Sequence, residues 1–227
     1  MERVVITGLG VVSCIGNNTG DFWDALLAGR SGIAPIQAFD PEALTTRIAG
    51  EVKNFAFDPR QGKRMARFTQ FAVSAATEAL GQAGLVNGEG KLSHANPERI
   101  GASIGSGIGG FDFLVDQHQK FMEKGPGKFH PLTVPIVISN MAVANVAIQF
   151  GLLGPNHCIS TACASANHSI GAAFDTIRAG RADVMVAGGS ESTITPFAVD
   201  GYIQLRALST RNEDPTGASR PFSAGGS

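Results

Sequence analysis

Hydrophobic residues along the chain fall into two kinds of pattern, short runs rich in Val and Ile and longer stretches with helical spacing. The short runs predict β-strands near residues 3–7, 99–105 and 183–189. The longer stretches predict helices near residues 20–29, 64–84, 109–123, 139–150 and 163–179. Strands that alternate with helices in this way indicate an α/β architecture.

Two further stretches stand out in the same pattern. The helix predicted at 139–150 is apolar on nearly every side, as in Met141-Ala142-Val143-Ala144, so we expect it to be buried or to lie at an interface. Residues 123–135 carry two glycines and three prolines, and this composition predicts a long loop.

Cys163 is the residue with the strongest candidate chemistry. It stands among small residues where a strand or loop passes into the helix predicted at 163–179, which places it in the first turn of that helix. Unpaired backbone N–H groups and the positive end of the helix dipole favour a thiolate at such a position, and the small neighbours leave room for a substrate. The alternative is a small buried residue in a tightly packed helix.

Composition narrows the classes of function. The 227 residues, 43% of them hydrophobic, suffice for a substantial core in one domain or two. A net charge of −1 without a strongly basic run argues against a nucleic-acid-binding protein. The three cysteines form no paired framework, so we expect no disulfide and a reducing, cytoplasmic location. Neither a signal peptide nor a membrane-spanning run is predicted.

Two glycine-rich segments and five histidines raise the question of a cofactor. Gly105–Gly110 fits the pattern G-x-G-x-x-G, but no acidic residue ends a second strand about 20 positions later. Gly8-Leu9-Gly10 fits the pattern less well. We therefore expect close backbone packing around a site, and no cofactor. The scattered histidines predict no metal site, and we expect His168 to be a packed structural residue that points away from Cys163.

Several motifs occur together along the chain. They are Val4-Val5-Ile6-Thr7-Gly8-Leu9-Gly10, Ile100 to Gly110, Thr161-Ala162-Cys163, Ala182 to Glu191, Arg206 to Asn212 and Ser219-Arg220-Pro221-Phe222. In this order they resemble the beta-ketoacyl-[acyl-carrier-protein] synthases, the elongating condensing enzymes of fatty acid synthesis, and among them the synthase II type. The resemblance implies a thiolase-like α/β fold, with a mixed sheet and helices packed on both faces. It covers residues 1–222 as the N-terminal half of that fold, and we expect residues 223–227 to form a flexible tail or linker.

The resemblance also assigns roles to residues of this chain. Cys163 corresponds to the family's nucleophile, and its backbone N–H to a donor of the oxyanion hole. Ile108 corresponds to a gate residue of the acyl-chain pocket. Residues 123–135 correspond to a region at the family's dimer interface. The basic residues at positions that receive the acidic acyl carrier protein are Lys63, Arg64, Arg67 and Arg206.

The activity that the resemblance implies has two steps, acyl transfer from a carrier-protein thioester to Cys163 and then decarboxylative condensation with malonyl carrier protein. A homodimer is expected from the family. The family's catalytic histidines follow the segment that ends here at Phe222, so we expect this chain to present the nucleophile without completing condensation.

Two other functions are weighed against this one. The alternative is a noncatalytic or split half-synthase that binds carrier protein or another copy of itself, although the presence of Cys163 argues against a purely noncatalytic partner. A thiolase or a chain-initiating synthase with coenzyme A substrates agrees less well with Ile108 and with the loop predicted at 123–135.

Overall fold

The computed structural model describes residues 3–87, 89–93 and 96–223. The chain divides into two compact units, one built from residues 1–11 and 57–192 and the other from residues 12–56 and 193–227. The tail predicted at 223–227 lies outside the described residues except for Ser223.

The described helices and strands follow one another as α1 (Thr19–Leu27), β1 (Ala34–Pro35), β2 (Ile48–Ala49), α2 (Pro59–Gly62), α3 (Arg67–Gln82), β3 (Ile100–Gly105), α4 (Phe111–Lys124), α5 (Thr133–Val137), α6 (Met141–Phe150), β4 (Asn156–His157), α7 (Ser165–Arg178), β5 (Val184–Gly189) and α8 (Pro196–Gln204). The five helices predicted from apolar spacing are present as α1, α3, α4, α6 and α7. An apolar stripe at helical spacing gives a helix a face to bury, and α3 and α6 bury theirs in the core. None of the helices in the described part of the chain is long and apolar enough to cross a membrane.

The larger sheet of the first unit has three parallel strands in its described residues, in the order β4-β3-β5. β3 lies in the middle with every residue buried, and it pairs with β5 over its whole length and with the short β4. Parallel strands end at the same edge of a sheet. The segments that follow Gly105, His157 and Gly189 therefore begin at one edge.

Helices cover both faces of this sheet. On one face, Ile100 and Ile104 of β3 join a hydrophobic core with α3 and α6, in which Phe68 and Val143 are among the largest fully buried side chains. Side chains alternate along a strand, so Gly105 faces the other side, and α7 packs there against β3 and β5. The predicted α/β architecture is confirmed.

The strand predicted at 3–7 is wrong. Residues 3–11 pair with no strand in the described part of the chain and lie along α3, where the Leu9 N–H donates to Oε1 of Gln82 at 2.6 Å. Ile6 is 82% exposed. The Val- and Ile-rich sequence favours extended backbone, but a strand also needs a neighbour for its backbone hydrogen bonds.

The loop predicted at 123–135 is shorter in the structure. α4 continues to Lys124 and α5 begins at Thr133, which leaves residues 125–132 without helix or strand. Pro135 lies in the first turn of α5, where a missing N–H leaves no helical hydrogen bond unmade. This proline therefore belongs to the start of a short helix and not to a loop.

α6 meets the expectation of a buried or interfacial helix. Ala142, Val143, Val146 and Phe150 are buried, whereas Ile148 is 77% exposed. The helix packs one side into the core and presents an apolar residue on another.

The second unit contains α1, the antiparallel pair of β1 and β2, and α8. α1 follows Asn18, whose side chain accepts from the Asp21 N–H at 2.8 Å and so caps the helix. A cavity of about 340 Å³ lies within this unit, and its apolar lining includes Ile48, Val199 and Leu208.

Candidate active site

Cys163 lies between β4 and α7, and its side chain is exposed. α7 begins at Ser165, so Cys163 precedes the helix by two residues and does not lie in its first turn as the apolar spacing predicted. It is still next to the helix N-terminus, where the dipole favours negative charge. Among the described residues, no acceptor takes the Cys163 backbone N–H. That N–H is therefore available to a bound group.

The chain turns sharply at Ala162, the residue before Cys163. Its φ of +51° lies in the left-handed region, which costs a non-glycine residue about 1–2 kcal/mol. The Ser165 hydroxyl holds the turn, because it accepts from the Thr161 N–H at 2.9 Å and donates to the Ala162 carbonyl at 2.7 Å. We call residues 160–165 the elbow. Strained backbone of this kind persists only where its surroundings enforce it, and it is frequent at functional sites.

Glycines at the ends of two strands let the elbow approach the sheet. A Cβ atom on Gly105 would lie 2.6 Å from the Ser165 carbonyl oxygen and 2.7 Å from that of Ile159. A Cβ atom on Gly189 would lie 2.7 Å from Cβ of Ala166. Each distance is too short for a real contact, so a larger residue would push the helix N-terminus away from the sheet. The small residues in this part of the sequence therefore serve the packing of the elbow.

The loop at 106–109, which carries Ile108, lies beside the elbow. Oγ of Ser160 donates to the Gly107 carbonyl oxygen at 3.2 Å, and a Cβ atom on Gly107 would lie 3.8 Å from Cα of Ala162. Ile108 is 46% exposed. The structure thus brings the predicted pocket residue and the predicted nucleophile to neighbouring segments at one edge of the sheet.

Glu191 follows β5 and binds the loop at 106–109. Its carboxylate accepts from the Gly107 N–H at 2.7 Å, the Ile108 N–H at 3.2 Å and the Ser106 hydroxyl at 3.2 Å. Sequence reasoning assigned Glu191 no role, because its partners lie 83 to 85 positions away in the chain. One feature of the sequence could have identified Glu191 as a site residue. It comes just after a predicted strand, and sites commonly form at the edge of a sheet where parallel strands end.

Ser192, the residue after Glu191, also binds the segment that follows β3. It does so through Asp112, which lies in the first turn of α4. The Ser192 hydroxyl donates to Oδ2 of Asp112 at 3.2 Å. Burial raises the pKa of the Asp112 carboxyl, although hydrogen bonds from Phe113 and Ser192 and the charge of Arg67 oppose the shift. The residues after β5 therefore hold both ends of the segment that leads from β3 into α4.

His168 is exposed and borders the elbow, which contradicts the expectation of a packed structural histidine. Its Nδ1 lies 2.8 Å from Oγ1 of Thr161. The physical reason is the late start of α7: with Ser165 as the first helical residue, His168 lies in the first turn, and its ring reaches back to the segment before the helix.

The four basic residues predicted for docking fall into two places. Lys63, Arg64 and Arg67 are exposed between α2 and the first turn of α3, and the Arg67 guanidinium lies 5.0 Å from the centre of the Phe71 ring. Arg206 belongs to the second unit, where it follows α8 and is exposed with a φ of +55°. The structure groups the first three residues, and the role of all four in docking stays a prediction.

Comparison with known proteins assigns the family. The family model described as "Beta-ketoacyl synthase, N-terminal domain" matches residues 1–226. The chain belongs to the beta-ketoacyl synthase family. This synthase chain is 46% identical over 225 residues to 3-oxoacyl-[acyl-carrier-protein] synthase 2 from Vibrio cholerae, with 97% of this chain and 53% of that relative covered. It is 44% identical over 225 residues to the synthase of the same name from Synechocystis sp., with the same coverage of 97% and 53%. The chain spans about half the length of the curated relatives that it matches.

Solved structures confirm the thiolase-like fold of this synthase chain. A beta-ketoacyl synthase from Burkholderia phymatum superposes with a TM-score of 0.85 at 31% identity, covering 100% of this chain and 55% of the other. A second structure holds a type II PKS acyl-carrier protein in complex with its ketosynthase bound to the hexaketide. It gives a TM-score of 0.81 at 28% identity, covering 96% of this chain and 52% of the other.

Proposed function

We propose that this chain is the acyl-accepting part of a 3-oxoacyl-[acyl-carrier-protein] synthase of fatty acid elongation, with Cys163 as the nucleophile. The observation that carries the proposal is the setting of Cys163: it is exposed next to a helix N-terminus, its backbone N–H has no acceptor among the described residues, and the loop with Ile108 lies beside the elbow. The relatives named synthase 2 support this reaction class.

In the first step, the Cys163 thiolate attacks the carbonyl carbon of an acyl thioester on the carrier protein. The carbonyl electrons move to oxygen, and the Cys163 N–H donates to the resulting oxyanion, an interaction worth about 3 kcal/mol when the donor is well placed. Collapse of this intermediate breaks the bond to the carrier's sulfur, which leaves as a thiolate. The products are acyl-Cys163 and the free carrier thiol.

In the second step, a malonyl thioester on carrier protein loses carbon dioxide, and the resulting carbanion attacks the Cys163 thioester. A carbon–carbon bond forms, the Cys163 sulfur leaves, and the carrier holds a 3-oxoacyl chain two carbons longer. The malonyl thioester needs hydrogen-bond donors at its carbonyl, which the family's catalytic histidines supply. We assign that role to none of the histidines in this chain. The homodimer and the cytoplasmic location also stay predictions.

The acyl chain is proposed to pack beside Ile108. Three side chains fix the backbone of the loop at 106–109: the hydroxyls of Ser106 and Ser160 and the carboxylate of Glu191. A fixed loop presents the half-exposed Ile108 side chain as a stable apolar surface, and burial of an acyl chain against such a surface is favourable.

Carrier protein is proposed to dock on Lys63, Arg64, Arg67 and Arg206. These side chains are exposed, and charge of the opposite sign on an acidic partner raises the rate of encounter and sets its orientation. Lys63→Glu and Arg64→Glu should therefore slow acylation of Cys163 by acyl carrier protein at low salt. Lys91→Glu, which reverses an exposed charge outside this group, is the matched control. Equal rates in all three variants would contradict the docking proposal.

Acyl transfer is tested by incubating the folded chain with dodecanoyl carrier protein and measuring its intact mass. We expect one dodecanoyl group per chain, lost in Cys163→Ala and retained in Cys158→Ala, because Cys158 is partly buried against the hydrophobic core. Circular dichroism checks that each variant is folded. A folded wild-type chain that gains no acyl group would overturn the proposal.

A second candidate is a noncatalytic module that associates with another copy of itself. It is favoured by the segment at 3–11, which pairs with no strand among the described residues. Val5, Ile6 and Leu9 of this segment are 58%, 82% and 55% exposed, and exposed apolar patches mark association surfaces. Sedimentation at several concentrations, combined with the acylation measurement, distinguishes the candidates. The module predicts self-association without acylation of Cys163, whereas a chain that is acylated is not a noncatalytic module.

A further inference from the structure

One carboxylate makes three of the hydrogen bonds that hold the loop at 106–109. Oε2 of Glu191 accepts from the N–H groups of Gly107 and Ile108 at 2.7 and 3.2 Å, and Oε1 accepts from the Ser106 hydroxyl at 3.2 Å. Two successive backbone N–H groups that converge on one oxygen bind an anion well. Hydrogen bonds to an ionised carboxylate are also stronger than those between neutral groups.

Other contacts fix the loop relative to the elbow. Oγ of Ser106 accepts from the Gly109 N–H at 3.0 Å, which closes the loop on itself. Oγ of Ser160, in the elbow, donates to the Gly107 carbonyl oxygen at 3.2 Å. The peptide group between Gly107 and Ile108 therefore lies between the elbow and Glu191, and its position depends on both.

We propose that Glu191 is a positioning residue for acyl-chain selection: it fixes the backbone at Ile108 beside the Cys163 elbow, so that the Ile108 side chain sets the length of acyl chain that the site accepts. This inference rests on the proposed function of Cys163 and Ile108. Glu191 takes no part in the attack on the thioester, and its effect reaches the substrate through the backbone of Ile108. A short acyl chain that ends before Ile108 is insensitive to Glu191, and a long one is sensitive.

Three substitutions separate this role from a purely structural one. Glu191→Ala removes the acceptors for both N–H groups and frees the loop. Glu191→Gln keeps one side-chain oxygen for the two N–H groups, and its amide can donate to the Ser106 hydroxyl in place of the native bond. Glu98→Ala is the matched control, because it removes an exposed carboxylate in the turn before the amino end of β3, at the opposite edge of the sheet.

The first measurement is the rate at which Cys163 is acylated by N-acetylcysteamine thioesters of four-carbon and twelve-carbon acyl groups, followed by intact mass. In Glu191→Ala the ratio of the twelve-carbon rate to the four-carbon rate should fall about fivefold or more, since hydrogen bonds to a charged group are lost. Glu191→Gln and Glu98→Ala should keep the ratio within about twofold of wild type, because both leave acceptors at the loop.

The second measurement is hydrogen exchange of peptides that contain residues 106–109, which reports on the loop without any substrate. Exchange should be faster in Glu191→Ala than in wild type, and unchanged in Glu98→Ala. Because exchange at this loop is local, peptides from α3 and α6 provide the reference for overall folding.

Several outcomes would overturn the inference. An unchanged ratio in Glu191→Ala does so, and so does an equal loss of rate for both acyl lengths, which is what a smaller folded fraction produces. A ratio of twelve-carbon to four-carbon rates that falls as far in Glu191→Gln as in Glu191→Ala also contradicts it. If wild type is acylated by neither thioester, the proposed function fails and acyl selection fails with it, while hydrogen exchange still shows whether Glu191 holds the loop.

Discussion

Two glycine-rich segments of the first unit, Gly8-Leu9-Gly10 and Gly105–Gly110, look alike in sequence and differ in the structure. In the first segment, a Cβ atom on Gly10 would lie 2.7 Å from the carbonyl carbon of Ala75, and one on Gly8 would lie 2.9 Å from that of Ala79. The segment therefore lies directly against the backbone of α3, which cannot move aside.

The second segment meets side chains as well as backbone. A Cβ atom on Gly107 would lie 2.9 Å from Oε2 of Glu191, the end of a flexible side chain that binds the loop through hydrogen bonds. A glycine in the sequence therefore indicates that another group approaches the backbone closely, and the nature of that group decides the role of the segment. A rigid helix backbone indicates packing, and a carboxylate that holds a loop beside the Cys163 elbow indicates a site.

The largest effect on stability is expected at Gly10, because the group next to it is the rigid backbone of α3. Gly10→Ala should lower the free energy of unfolding by about 3 kcal/mol, because the new methyl group overlaps the backbone of α3. Gly81→Ala is the control: Gly81 lies in α3 with open space around it, and alanine should stabilise the helix by about 1 kcal/mol. Urea unfolding followed by circular dichroism measures both. If Gly10→Ala lowers the free energy of unfolding by less than about 1 kcal/mol, the first segment is not more rigidly packed than the second.

A smaller effect is expected in the elbow. Ala162→Gly should leave the free energy of unfolding unchanged or raise it by up to about 1 kcal/mol, because glycine adopts the φ of +51° without strain but loses more freedom on folding. Ala172→Gly, in the interior of α7, should lower it by about 1 kcal/mol. The same urea experiment compares them, and equal losses in the two variants would show that Ala162 is not strained.

Gly107→Ala tests the second segment directly. Its methyl group meets a carboxylate that can rotate, so the free energy of unfolding should fall by less than about 1 kcal/mol. Glu191 is displaced, however, and acylation of Cys163 by the twelve-carbon thioester should slow more than acylation by the four-carbon thioester. The pair of measurements is an unfolding curve and the two acylation rates. A large loss of stability would mean that this loop is as rigidly packed as the segment at Gly10.

The smallest effect is a pH dependence at the end of the second segment. Burial raises the pKa of Asp112 in the folded chain above its ordinary value of 3.8. The stability linked to this group is therefore fully present below that ordinary value and is lost as the pH rises through the raised pKa. Asp112→Asn does not titrate, so the variant should gain stability relative to wild type between about pH 4 and pH 7. Urea unfolding at both pH values tests this, and a constant difference would contradict it.

Much of the fold follows from local pattern. The apolar spacing predicted α3, α4, α6 and α7 within a few residues, and β3 and β5 were recognised as Val- and Ile-rich runs. α3, α6 and β3 bury apolar residues in the core, whereas Ile170 and Phe174 of α7 are 51% and 42% exposed. The run at 3–7 carries the same signal, but no strand lies beside it in the part of the chain that the structure describes. Composition shows that a segment has a high propensity for β-strand. Only the tertiary structure shows whether a second strand lies beside it to form backbone hydrogen bonds.

The candidate site was predicted in part. The motif around Cys163 and the resemblance pointed to the nucleophile and to Ile108, but the roles of Ser165 and Glu191 depend on hydrogen bonds that no local pattern contains. Glu191 meets its loop across more than 80 positions. His168 was misplaced because Thr161 and Cys163 lie before the helix, which begins at Ser165, so helical spacing does not relate them to His168. Such small differences in where a helix begins are below the precision of sequence patterns.

The most direct test of the central claim is to expose the folded chain to cerulenin, a covalent inhibitor of these synthases, and to map the modified cysteine by peptide mass spectrometry. The chain offers three cysteines, of which Cys163 is exposed and Cys14 and Cys158 are partly buried. We expect a single adduct on Cys163, absent from Cys163→Ala. No adduct on the folded chain, or adducts spread over the three cysteines, would contradict a preformed nucleophile at the elbow.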